Sequence, residues 1–346
     1  GCGNVWKFPW MCGKYGGGAF VLIYLLCLLV LGLPVMTVEF SLGRASQKSP
    51  IGMYQALEPK GTKWHTHGYF ALAGNVLLMM FYTVVSGWMI YYFVNFLTGN
   101  GASLEFGKML SSPSINVGYM AIVVVLGFAV LAYGLQGGLE RITKYMMVAL
   151  FVLMAVLTVH SFTLDGAGRG LSFYLVPDFS KINGSVIVGA MNQAFFTLSL
   201  GIGSMAMGQM FYSLSIAMGI LYTYGSYIGK DRSLMGESVN VIVLDTLAAL
   251  MAGLIIFPAC YTYDIEPGAG PGLLFTTMAT VFNQMEGGRL WGTLFFLFMM
   301  FAAMSTVLAV FENILAMVRE KTGWSRPKGS LICGIGIFLL SIPCAL

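Results

Sequence analysis

Three carboxylates, Glu39, Asp245 and Glu312, sit inside stretches that are otherwise almost wholly apolar. An ionisable group at bilayer depth is costly, so each is first a candidate for binding or coupling. The plain alternative is a helix-end side chain, or one paired with buried backbone. Two other places offer ligands. Gly1-Cys2-Gly3-Asn4 and Thr197-Leu198-Ser199-Leu200-Gly201 interrupt apolar runs with glycine and small polar residues. Backbone leaves the helix at membrane depth only where protein or a polar cavity receives the freed groups. Carbonyls released there are hard oxygens suited to a small cation, and N–H groups freed at a half-helix start favour an anion. Ordinary glycine-mediated helix packing is the alternative. The hydroxyl pair Ser305-Thr306 either faces a ligand or bonds back to its own helix.

The elements that must carry these groups follow from composition. Of 346 residues, 58% are hydrophobic and 9% charged, where a soluble domain runs at about 25% charged. So few charges cannot coat a water-facing surface, and lipid is the expected solvent. A span needs about 20 apolar residues. Apolar runs predict a short helical piece from Val5, then spans over Ala19–Ala45, Gly68–Leu97, Val117–Tyr133, Thr143–Phe162, Val239–Tyr261 and Leu290–Arg319, with another from Leu331. The polar link Ser46–Thr66 carries a short amphipathic stretch. Ser185–Ile228 is a broken apolar region, and Pro267–Gly272 opens a re-entrant or surface helix through Gln284.

Basic residues in the links set the orientation. Arg44, Lys48, Lys60, Lys63, Arg141, Lys144, Lys230, Arg232, Arg319, Lys321, Arg326 and Lys328 gather on one side, which is therefore cytoplasmic. Lys7, Lys14, Lys108, Arg169, Lys181 and Arg289 gather on the other. The split requires Ser185–Ile228 to cross once. A net charge of +4 without a basic face excludes nucleic acid as an expected partner. Six unpaired-looking cysteines read as small core residues. A glycine start and an apolar end lead us to expect a fragment. No HExxH or GxSxG motif is present, and His65 and His67 read as interfacial, so an enzyme is not expected.

Several motifs together resemble a known family. Gly3-Asn4-Val5-Trp6-Lys7-Phe8-Pro9 resembles the first-helix signature of the neurotransmitter:sodium symporters. Gly16-Gly17-Gly18-Ala19-Phe20 and Leu33–Arg44 resemble its next segment. Gln193–Ser199 resembles its broken sixth helix, and Ala302-Ala303-Met304-Ser305-Thr306 its eighth. The likeness runs in order along nearly the whole chain. It implies an all-α, polytopic, LeuT-type inverted-repeat bundle with broken helices, here a single domain over 1–346 with a first repeat over 1–163 and a partial second over 185–346.

The resemblance also implies a site. A first sodium ion would use Asn4, Thr197 and Asp245, the last standing where relatives often have asparagine. Its extra charge could replace the chloride some relatives need. A second ion would use the Ala302 carbonyl with Ser305 and Thr306. Tyr82 would meet a substrate carboxylate. Cys2, Gly3, Leu78, Phe196, Thr197, Ser199, Ile202 and Val310 would line the substrate pocket. Gly1 stands where monoamine carriers have an aspartate, which favours an amino acid as substrate. Lys7 would belong to the outer gate, Glu320 to the inner one, and Glu39 would cap the unwound sixth helix.

One feature departs from the family. Asn192–Met207 and Gly208–Thr223 align with each other, pairing Gln193 with Gln209, Phe196 with Tyr212, Thr197 with Ser213 and Ser199 with Ser215. The family has one such segment. Tyr212, Ser213 and Ser215 therefore stand as substitutes for the first copy. The implied function is sodium-coupled import of a small apolar or aromatic amino acid across a bacterial inner membrane by alternating access. The alternatives are a non-transporting amino-acid sensor on the same fold, and a proton- or chloride-coupled carrier of amines or amino acids.

Overall fold

A computed structural model describes residues 3–194, 219–265 and 273–346. The described helices are α1 (Phe8–Lys14), α2 (Gly18–Cys27), α3 (Leu33–Ser46), α4 (Pro50–Leu57), α5 (His65–Thr98), α6 (Phe106–Leu110), α7 (Pro113–Ala132), α8 (Arg141–Phe162), α9 (Ala167–Leu175), α10 (Gly184–Ala194), α11 (Ile220–Tyr227), α12 (Leu234–Thr262), α13 (Ala279–Gln284), α14 (Gly288–Thr322) and α15 (Arg326–Ala345). A π-helical turn, Gly3–Lys7, precedes α1, and another, Leu28–Gly32, joins α2 to α3. Among the described residues seven helices are long and apolar enough to cross a membrane: Gly18–Ser46, His65–Thr98, Pro113–Ala132, Gly137–Phe162, Leu234–Thr262, Gly288–Thr322 and Arg326–Ala345. Each apolar run read from the sequence is one of these, lengthened by up to about a turn or two of polar flank.

Local chemistry sets several ends. Gln47, with φ 53°, terminates α3 in the left-handed region, and Ser49-Pro50 restarts the chain as α4 with proline in the first turn. Gly99 and Gly323 stop α5 and α14 at φ 85° and 68°, a conformation glycine adopts without steric penalty.

Two hydrophobic clusters organise the bundle. The larger draws on α5, α7, α8, α14 and α15 with part of α12. The smaller joins α1, α2, α3, α9, α10, α11 and α12. Close backbone approach seats α11 on α3: a Cβ at Gly43 would lie 2.1 Å from the Tyr222 carbonyl oxygen. Such small-residue contacts replace the hydrophobic driving force that lipid does not supply.

Side-chain ties at the helix ends separate the two faces. At the basic-rich end Arg44 donates to the Arg232 carbonyl at 2.7 Å, the Ser49 backbone N–H donates to Glu320 at 2.8 Å, and Lys321 donates to Gln55 at 3.2 Å. At the opposite end Arg169 donates to the Tyr261 carbonyl, Arg289 to the Leu97 carbonyl, and Gly17 pairs with Pro177. α10 packs on α2 and α11 on α3, so the described ends of this region lie toward opposite faces.

The segment expected as a re-entrant or surface helix is buried. Leu274, Phe275, Met278 and Val281 are at most 1% exposed. Phe275 packs within 6 Å of Trp6, Trp88, Tyr92 and Phe106, centroid to centroid.

Candidate functional site

The π-helical turn Gly3–Lys7 meets α12 through a side chain. Asn4, 1% exposed, donates from Nδ2 to both the Oδ1 (2.6 Å) and the backbone carbonyl (3.0 Å) of Asp245. A residue in that turn thus contacts a carboxylate 241 positions later. One side of this junction is a π turn, where backbone hydrogen bonding departs from the α pattern.

Other expected groups are buried in the bundle core. Tyr82 (2% exposed), Ala302 and Val310 belong to the same buried cluster as Val5, and Leu78 packs against it. Gly3 is buried. The hydroxyls of Ser305 and Thr306 both donate to the Ala302 carbonyl, at 2.9 and 3.5 Å. Three oxygens therefore gather within one turn of α14. The back-bonded arrangement, the plain reading of that pair, and the cation reading use the same atoms: a cation would replace the hydroxyl protons at the shared carbonyl.

Lys7 is 7% exposed, and its ammonium has no hydrogen-bond partner among the described residues. It lies on the α1 side of Asn4, toward the end where Gly17 pairs with Pro177. Glu39 is buried on α3, which runs along α11. Glu320 lies apart from the cluster: it is exposed at the basic-rich end and accepts from the first backbone N–H before α4, a favourable place for a carboxylate. A polar cavity of about 360 Å³ opens beside it, lined by Gln47, Ser49, Thr223, Tyr227 and Arg319. Cys2, Phe196, Thr197, Ser199, Ile202, Tyr212, Ser213 and Ser215 lie outside the described residues.

Glu312 is paired with side chains, where the plain reading expected a helix end or buried backbone. It is 1% exposed and forms a two-pronged ion pair with Arg326, while the Tyr227 hydroxyl donates to its Oε1 at 2.9 Å. Arg326 also donates from Nε to the Leu131 carbonyl at 2.6 Å. One turn along, Thr223 donates to Asn313 at 2.6 Å. This network ties α11, α14, α15 and α7 together. Sequence reasoning assigned Arg326 to a link and so missed its inward reach. The available signal was Glu312 itself, since a carboxylate at that depth demands a cation.

Comparison with known proteins gives the family and the fold. The model of the sodium:neurotransmitter symporter family matches residues 1–108, 102–208 and 204–345. The chain belongs to that family. As a member it is a multi-pass, sodium-dependent membrane transporter and not an enzyme. It is 34% identical over 353 residues to an uncharacterized sodium-dependent transporter of Bacillus subtilis, covering 100% of this chain and 74% of that protein. A sodium-dependent transporter of Haemophilus influenzae is 33% identical over 366 residues, with 100% and 76% covered. The solved structure of MhsT in complex with L-phenylalanine superposes with a TM-score of 0.86 at 34% identity, covering 100% of this chain and 76% of that one. The three segments of the symporter match overlap at residues 102–108 and 204–208, and the second overlap falls at the junction of the two repeated copies.

Proposed function

We propose that this symporter imports a small apolar or aromatic amino acid together with sodium, by alternating access across a bacterial inner membrane. The observation that carries the reading is the contact of Asn4, in a π-helical turn, with Asp245. Turning the Asn4 amide by half a rotation exchanges its Nδ2 for Oδ1, since the two ends are nearly isosteric. The pair then offers an amide oxygen, a carboxylate oxygen and a backbone carbonyl to one small cation. Thr197 of the first copy would add a hydroxyl, with Ser213 as its counterpart in the second. Ala302, Ser305 and Thr306 would hold a second ion.

The substrate reading rests on residue types. Tyr82 brings a hydroxyl into a buried apolar cluster, suited to one end of a carboxylate. Cys2, Gly3, Leu78, Phe196, Ser199, Ile202 and Val310 are apolar or small, and suit an uncharged side chain. The likeness to a structure holding L-phenylalanine favours an amino acid over an amine. Asp245 supplies a fixed negative charge beside the first ion, which makes a chloride ion unnecessary there. Lys7 and Glu39 act on the outer gate and the sixth-helix break, and Glu320 on the inner gate. The two inverted repeats, 1–163 and 185–346, supply the opposing halves.

The deciding experiment is uptake of labelled phenylalanine, leucine and tryptophan into proteoliposomes, with sodium outside replaced by potassium. The expected outcome is loss of accumulation in potassium. Equal uptake in both salts rejects sodium coupling, and saturable binding without flux points to a sensor. Asn4→Ala is expected to raise the sodium concentration for half-maximal uptake by at least about tenfold, roughly 1.4 kcal/mol, with the folded yield preserved. Thr197→Ala is expected to abolish uptake and Ser213→Ala to spare it; the reverse pattern assigns the site to the second copy.

A further inference from the structure

Lys7 closes the π-helical turn Gly3–Lys7 as a buried residue, 7% exposed, and its Nζ has no hydrogen-bond partner among the described residues. Buried Glu312 is answered by Arg326 and Tyr227; Lys7 has no such answer. Helices α1 and α12 pack on the turn. Their titratable side chains are Cys12 and Lys14 on α1, and Glu237, Asp245, Cys260 and Tyr261 on α12. Tyr24 on α2 and Tyr92 on α5 approach through the rings of Phe8 and Phe275. None of these bonds to Lys7 Nζ, and Asp245 is met by Asn4 instead.

The place of this lysine in the fold gives its burial a direction. It lies toward the end where Gly17 pairs with Pro177, and outside the seven apolar spans. Its neighbour Trp6 packs edge-on against Phe275 at 5.7 Å. The segment that carries Phe275 is held at the outer end of α5, where Asn283 donates to the Gly101 carbonyl at 3.0 Å. The turn is therefore shut off from the outer side in this structure. For a buried lysine without acceptor or counter-charge, the ammonium is the costly form and the neutral amine the stable one. Burial alone pushes the group down to about 7, whereas a lysine in water stays charged up to about 10.4. An arginine in that place would keep its proton throughout.

We propose, on the outer-gate reading of Lys7, that this side chain is a proton-operated latch: its ammonium gives a proton to the outside water when the outer face closes over it, and the amine takes one back when that face opens. The proton returns to the side it came from, so the latch moves no net charge across the membrane. What it does is tie closure to external pH. The open form holds the proton more tightly, so rising pH favours closure between about 7 and 10, by up to about tenfold per pH unit. Below about 7 both forms are charged, and closure is indifferent to pH. Sodium and an amino acid, bound together, favour the closed form and so release the proton.

The test is calorimetric titration of the full chain in detergent with L-phenylalanine, leucine or tryptophan in sodium chloride. Running it in two buffers of unlike ionisation heat counts the protons released per ligand bound. The parent is expected to release about 0.9 proton at pH 8 and about 0.1 at pH 6, from the two protonation equilibria. Lys7→Met keeps a long side chain without a titratable group, and Lys7→Arg keeps the charge. Each is expected to bind without releasing a proton at either pH. Release at pH 8 that persists in Lys7→Met comes from another group and overturns the proposal. So does a parent whose release is the same at pH 6 and pH 8. If neither variant folds, that comparison in the parent decides alone. Binding without proton release rejects the latch and leaves the transport reading standing, whereas a parent that binds none of the three amino acids in sodium loses both.

Discussion

An aspartate touching Asn4 differs from an asparagine in the same place by one full charge, and that charge can be exchanged by substitution. If Asp245 supplies the anion beside the first sodium ion, Asp245→Asn is expected to make uptake depend on external chloride, while the parent shows no change when chloride is replaced by gluconate. Comparing initial rates in the two salts for both proteins checks this. Glu312 is a different kind of acid. Its pairing with Arg326 and Tyr227 is buried, and removing one member of such a pair costs about 3–5 kcal/mol. Glu312→Gln is expected to lower the melting temperature sharply, and the double change Glu312→Leu with Arg326→Met to recover much of it. The two carboxylates looked alike as lone charges in apolar runs. What distinguishes them is the partner each meets, and a partner 14 or 241 positions away has no local signature in the sequence.

At the scale of elements, the spans were legible because lipid imposes a minimum apolar length, which most runs reach and Val117–Tyr133 reaches with its flanks. Their ends were less so. Polar flanks such as His65-Thr66-His67 and Ser233–Glu237 join the helices through capping and hydrogen bonding, which hydropathy does not register. The burial of Leu274, Phe275 and Met278 in the segment before α13 was also hidden. Its apolar residues suit either an interface or a core, and only the aromatic ring set Trp6, Trp88, Tyr92 and Phe106 around Phe275 decides between them. The tight seating of α11 on α3 gives a direct test. Gly43→Ala would place a methyl carbon 2.1 Å from the Tyr222 carbonyl oxygen, so two backbones must separate. A loss of about 1–3 kcal/mol is expected, seen as a lower melting temperature and slower uptake, whereas Gly74→Ala, with no atom within 4 Å of the added carbon, is expected to be neutral.

For the whole molecule, the two hydrophobic clusters divide the helices into groups that share α12. Such a division is what a carrier needs if one group is to tilt against the other. Ligands bias that motion only through unequal affinity for its end states. The energy available is adequate: one charge crossing 100 mV releases about 2.3 kcal/mol, and a tenfold sodium gradient about 1.4 kcal/mol. An inside-negative potential, imposed by potassium efflux through valinomycin, is therefore expected to raise amino-acid accumulation in proteoliposomes at a fixed sodium gradient. Accumulation indifferent to potential would mean that no net charge moves with the substrate.

The junction between α3 and α4 bears on where such a tilt bends the chain. On one side, α3 travels with α11 through Gly43 and Tyr222. On the other, Glu320 and Lys321 fasten α4 to the end of α14. Only Gln47 through Ser49 separate the two attachments, and Gln47 already holds a left-handed backbone that a side chain adopts with reluctance. If α4 is to move relative to α3, the backbone bends at these three residues, against the Tyr54–Tyr222 ring contact that also ties α4 to α11, and a stiffer residue at Gln47 is then expected to slow turnover without touching either ligand.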